Sequence, residues 1–94
     1  MRKAWNKIGR MIKDGRYVHR KGFRLSDVEL PFVLSQAQDE MDELRQDPDD
    51  PEEMADLIGV LIHYCVKQGW SMELIEKYLI EKLDLRFSKL AENE

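Results

Sequence analysis

A single cysteine, Cys65, rules out an internal disulfide and fits a reducing compartment. Three prolines and five glycines among 94 residues leave few places where a helix must break. No apolar run approaches the ~18 residues of a membrane-spanning helix. The N-terminus is basic but lacks the apolar stretch and small-residue cleavage site of a signal peptide. A cytoplasmic protein without a membrane segment is expected. A chain this short buries only roughly 60–65% of the surface its unfolded form exposes. One domain spanning residues 1–94 and self-association into a dimer or tetramer are therefore expected.

Positive charge is nearly missing from one third of the chain. Residues 27–56 hold twelve Asp and Glu against one basic residue, Arg45, whereas residues 1–24 hold nine Lys and Arg against Asp14. The net charge of −4 conceals this split. Either the basic arm covers the acidic segment, or the two ends serve an anion and a cation separately.

The composition, 43% hydrophobic and 36% charged, is that of a globular domain. Strand signals are weak, and the apolar residues recur at helical spacing. A short helix is predicted from about Ala4 to Lys13, with Trp5, Ile8 and Ile12 on one face and Gly15 as its stop. The segment "GRYVHRKGFR" then reads as a basic connector. A second helix covers about Pro31 to Arg45 along Val33, Leu34, Ala37, Met41 and Leu44. "SDVE" at Ser26–Glu29 resembles a capping box, but Pro31 belongs in a first turn, so residues 26–30 are a lead-in. After "QDPDDP", Asp50 caps a third helix running to about Gln68 and closed by Gly69. Ser71 caps a fourth, through Ile75, Leu79, Leu83, Phe87 and Leu90. The fold class is all-α: a compact bundle of about four helices, neighbours antiparallel.

Glu40 and Glu43 stand three apart on the second helix, as do Glu53 and Asp56 on the third. Pro48 lies midway between Glu43 and Glu53, and equally midway between Glu40 and Asp56. In an antiparallel hairpin, residues equidistant from the turn sit at one height, so the two pairs can meet. Two like charges ~6 Å apart repel by roughly 3 kcal/mol at an effective dielectric of 20. Four carboxylates therefore call for a hard cation such as Mg²⁺. Singly, each acid reads more readily as a solvated or capping residue, Glu53 completing a cap with Asp50, and only the four at mirror-image spacing favour a metal. Lys82, Arg86 and Lys89 form a stripe on the fourth helix below Tyr78, suited to phosphate oxygens or to pairing with Glu81 and Asp84.

Glu40-x-x-Glu43, a helix break and Glu53-x-x-Asp56, followed by "LIGVLIHYCVKQGWS", resemble the MazG-like all-α nucleoside triphosphate pyrophosphohydrolases. "KLDLRFSKLAE" at Lys82–Glu92 is similar to the basic, aromatic segment on that family's last helix. The likeness covers about residues 31–92. It implies an oligomer in which Glu40, Glu43, Glu53 and Asp56 hold Mg²⁺, or Mn²⁺, and carry the catalysis, while Lys82 and Arg86 bind the substrate phosphates. The implied reaction cleaves a nucleoside triphosphate to monophosphate and pyrophosphate. The chain departs from the pattern in three places: a nine-residue gap between Glu43 and Glu53, Ile80 in place of an asparagine, and Leu85 in place of the first of two arginines.

Three other readings compete, one of them a degenerate relative that binds nucleotide or metal without turnover. A phosphoribosyl-ATP pyrophosphatase would use the same carboxylates on another triphosphate. A non-catalytic nucleic-acid- or protein-binding module would use the basic arm, with Trp5, Tyr17 and Phe23 interleaved. The acidic segment argues against nucleic acid. Trp5 and Trp70 are read as core or interface residues rather than base-stacking ones. His63 has no Cys or His at zinc spacing, and Cys65 is expected to be buried.

Overall fold

The computed structural model describes residues 1–89. Four helices follow in order: α1 (Arg2–Asp14), α2 (Leu30–Gln46), α3 (Pro51–Lys67) and α4 (Met72–Arg86). The extended pairing among the described residues is an isolated antiparallel bridge, Val18 to Arg24, within the basic connector. No helix is long and apolar enough to cross a membrane.

The helix ends follow local chemistry. Gly15 and Gly69 take the left-handed conformation that releases the chain after α1 and α3, at φ 76° and 79°. Residues 26–29 are indeed a lead-in: Glu29 is the N-cap of α2 without a side-chain cap bond, and Pro31 sits in the first turn. The Asp50 side chain accepts from the Glu52 N–H at 2.9 Å. Ser71 accepts from the Leu74 N–H at 3.1 Å. α4 ends at Arg86, earlier than expected, with Phe87 already extended. Leu90 and the tail to Glu92 lie outside the described residues.

α3 is the centre of the molecule, with α2 packed along it and α1 across it. Val33, Leu57, Ile62 and His63 are buried where these helices meet. Leu34, expected on the buried stripe of α2, is half exposed, because the helix turns that position outward. Val33 has no exposed surface, so Val33→Ala should destabilise the fold by about 2 kcal/mol. A thermal melt should show that as a drop of roughly 8–16 °C, and an unchanged midpoint would refute this account of the core.

α4 stands apart. It touches the rest chiefly through its first turns, where Arg2 pairs with Glu73 at 2.6 Å and Ile75 joins Trp5, Ile58 and Cys65 around an apolar hollow. Tyr78, Leu79, Leu83 and Phe87 remain exposed beyond it. The radius of gyration, 16.4 Å, exceeds the about 12 Å of a compact chain of this length. All four helices were expected; the outward reach of α4 was not. The reason is that, among the described residues, its apolar stripe finds no surface to cover it.

Candidate metal centre

α2 and α3 form a tight antiparallel hairpin. The Asp47 N–H closes α2 on the Glu43 carbonyl, and the Asp50 N–H bonds the Asp47 carbonyl across the turn. The mirror-image spacing about Pro48 is thereby realised in space. Glu40, Glu43, Glu53 and Asp56 each offer a carboxylate oxygen, and these four atoms lie within 4.8 Å of one another. Opposite ligands of an octahedral Mg²⁺ stand about 4.2 Å apart, so a small side-chain adjustment satisfies the ion.

The capping alternative for Glu53 is not what the structure uses. Asp50 caps α3 with its own side chain, and its N–H is already given to Asp47, which leaves no donor for a reciprocal Glu53 bond. Instead Oε2 of Glu53 and Oε2 of Glu40 are both sealed from solvent without a hydrogen-bond partner. Buried carboxylate oxygens without donors are costly unless a cation or a proton meets them.

The proton answer is visible in the metal-free electrostatics. Burial raises the Glu40 carboxyl to about 7, helped by a hydrogen bond with Glu43 and the charges of Glu43 and Asp56; Lys21 opposes the rise. Burial also raises Glu53, with Glu43 and Asp56 adding repulsion. A four-carboxylate set that resists full ionisation is suited to a divalent cation, which supplies the missing charge. The cluster can hold a metal ion, and the all-oxygen donor set is that of a hard one.

The basic arm does not neutralise this cluster. Among the described residues, ion pairs join Arg2 to Glu73, Arg16 to Asp14 and Arg45 to Asp42, none of them between the arm and the four carboxylates. Lys21 alone among the arm's cations registers on Glu40. Lys82 and Arg86 lie on the outward part of α4 and line none of the cavities beside the cluster. Trp5 and Trp70 take structural positions: the Trp5 indole N–H donates to the Trp70 carbonyl at 3.3 Å, and Trp70 meets Tyr64 edge-on. Cys65 is half buried rather than fully so.

One group was underrated by sequence reasoning. His63 was weighed only as a zinc ligand, yet it is 4% exposed, and its Nε2 has no partner. It lines a cavity of about 240 Å³ that also reaches Glu40 and Asp56. The i, i+3, i+4, i+7 series Asp56, Gly59, Val60, His63 carried that signal, because it places all four on one face of α3. Compared with protein families, with characterised proteins and with solved structures, the chain matches none, and the site rests on its own geometry.

Proposed function

We propose that this protein is a metal-dependent nucleoside triphosphate pyrophosphohydrolase. The observation that carries the reading is the convergence of Glu40, Glu43, Glu53 and Asp56, with two sealed oxygens that lack donors. The resemblance of this ordered set to the MazG-like enzymes supplies the reaction class. Bound there, Mg²⁺ or Mn²⁺ would neutralise phosphate oxygens and provide an acidified water.

The chain's own residues do the rest. The carboxylates fix the donor geometry, and one not saturated by the ion accepts the proton of the attacking water. Water adds across the α–β anhydride, the bond to the bridging oxygen breaks, and monophosphate and pyrophosphate leave. Lys21 stands where its charge reaches Glu40 and can draw in an anionic substrate. Lys82 and Arg86 belong to the same reading only through a second copy of the chain. Docking on the exposed Tyr78, Leu79, Leu83 and Phe87 would cover α4 and bring its cations toward a neighbour's carboxylates.

The test is pyrophosphate release from a panel of canonical and modified NTPs and dNTPs, with phosphoribosyl-ATP included. Release that requires Mg²⁺ or Mn²⁺ is the expected result. Absence of release from every compound, at any metal concentration, would sink the reading and favour a binding role for the basic arm.

A further inference from the structure

The charge split of the chain persists in space. α1 packs across α3 with Ile8 and Ile12 half-buried, and it turns Lys3, Lys7 and Arg10 outward at i, i+4, i+7 spacing, with Lys13 one turn beyond Arg10. All four cations are exposed, and none takes part in an ion pair among the described residues. Two acids near the stripe are already engaged, Asp14 by Arg16 and Glu73 by Arg2. From Lys3 to Lys13 the stripe runs about 15 Å along the helix. That is too long for one phosphate group and suited to several along a chain.

Beside the stripe lies a cleft of about 470 Å³. Gly9 of α1 and Val66 of α3 form its half-buried floor, and Arg10, Lys13 and Trp70 its exposed rim. No acidic residue lines it. A Cβ at Gly9 would stand 3.9 Å from Val66 Cγ1, an ordinary contact, so helix packing does not require glycine there. Its cost inside a helix goes instead to a deeper floor. The Trp70 ring meets Tyr64 edge-on at 5.9 Å between centroids, and the Trp70 carbonyl accepts the Trp5 indole N–H at 3.3 Å. Fixed in this way, Trp70 is still 38% exposed. A held, partly open aromatic ring beside unpaired cations is an arrangement on which an unstacked base rests while its phosphates lie on the charges.

The acidic segment, which in the sequence argues against nucleic acid, is remote from this face. Asp56, the nearest of the four carboxylates along α3, stands about 15 Å from Val66. That is roughly two Debye lengths at physiological salt, so the local positive charge decides what this face attracts. We propose that the outer face of α1 and the adjoining cleft bind single-stranded nucleic acid: Lys3, Lys7, Arg10 and Lys13 take successive phosphates, and the cleft takes one base against Trp70. The inference does not rest on the pyrophosphohydrolase reading. A duplex keeps its bases stacked and offers the ring nothing. An acidic peptide would use the cations and leave the cleft empty.

Fluorescence anisotropy of labelled oligo-dT and oligo-U of about twelve nucleotides, titrated with the full chain, tests this. The two oligomers distinguish DNA from RNA as the source of the strand. Binding of at least one is expected at about 50 mM salt, falling roughly 50-fold by about 200 mM as four phosphate contacts require. Lys7→Gln with Arg10→Gln removes two of those contacts, so the same salt change should then cost only about sevenfold. Trp70→Leu should weaken binding at least about fivefold at fixed salt and leave the salt dependence unchanged. Circular dichroism verifies the fold of that variant, and quenching of tryptophan fluorescence in the wild type reads the same contact without a substitution. Four results would each overturn the assignment: no binding of either oligomer, a matched duplex or polyglutamate bound as tightly, unquenched fluorescence at saturation, or a salt dependence unmoved in the double variant.

Discussion

Replacing Glu53 with Gln and Asp56 with Asn together is expected to lower metal-dependent pyrophosphate release by at least 10³-fold while leaving the fold intact. The substitutions keep size and hydrogen-bonding capacity but remove two of the four negative charges that converge within 4.8 Å. A divalent ion would then face two carboxylates and two neutral amides, and amide oxygens are weaker ligands for a hard cation. Catalysis should fail through lost metal affinity and through a misplaced water, each of which costs orders of magnitude in such sites. The fold should not suffer. Asp56 is exposed, α3 keeps its Asp50 cap, and loss of the Asp56 charge relieves repulsion on Glu40. The variant should therefore melt at or above the temperature of the metal-free wild type. Measuring release across a range of Mg²⁺ concentrations, beside a thermal melt, decides the matter. A folded variant with near wild-type release would mean that the four carboxylates are only a solvated acidic surface.

The second large effect is on stability, and its sign follows from the raised carboxyls. Glu40 titrates near 4.5 when unfolded and at about 7 in the folded, metal-free protein. A raised folded value means the native state holds its proton more tightly than the unfolded chain does. The stability this gives is fully present below about pH 4.5 and is lost as pH rises through about 7. Glu53 is raised too and acts in the same direction. Because Glu40 is partly open to solvent, its share is on the order of 1–2 kcal/mol rather than the full value of the shift. For a domain of this size that is roughly 4–16 °C in melting temperature between pH 5 and pH 8 without metal. Added Mg²⁺ or Mn²⁺ should restore the loss at pH 8 and do little at pH 5, where protons occupy the same oxygens. Glu40→Gln should flatten the pH dependence and remove most of the metal response. Melts at both pH values, with and without the ion, provide the check; an equal metal response at pH 5 and pH 8 would contradict the linkage.

These results show how far each part of the protein can be read from its residues. The carboxylate cluster was legible because it depends on local rules. Helical spacing pairs Glu40 with Glu43 and Glu53 with Asp56, and a break at residues 47–50 makes the hairpin antiparallel. Equal distances from Pro48 then bring the pairs together. The helix ends were legible for the same reason, since Asp50, Ser71, Gly15 and Gly69 act on neighbours only a few residues away. Burial was harder. The periodicity of α2 marked Leu34 as readily as Val33, and only packing against α3 separates the buried residue from the half-exposed one.

By itself, then, the sequence determined the four helices, the hairpin and the meeting of the acids, all of them consequences of short-range geometry. Tertiary structure alone decided that α4 reaches outward with its apolar face uncovered, and that the basic arm does not neutralise the acidic hairpin but builds a wall beside it. It also decided that His63 is buried and that its Nε2 has no partner. Those outcomes depend on contacts between segments some forty residues apart, such as the Lys67 ammonium donating to the Ser26 carbonyl at 3.2 Å. No local pattern encodes which of several apolar faces such contacts will join, because many pairings bury similar area and only their sum over the whole chain selects one.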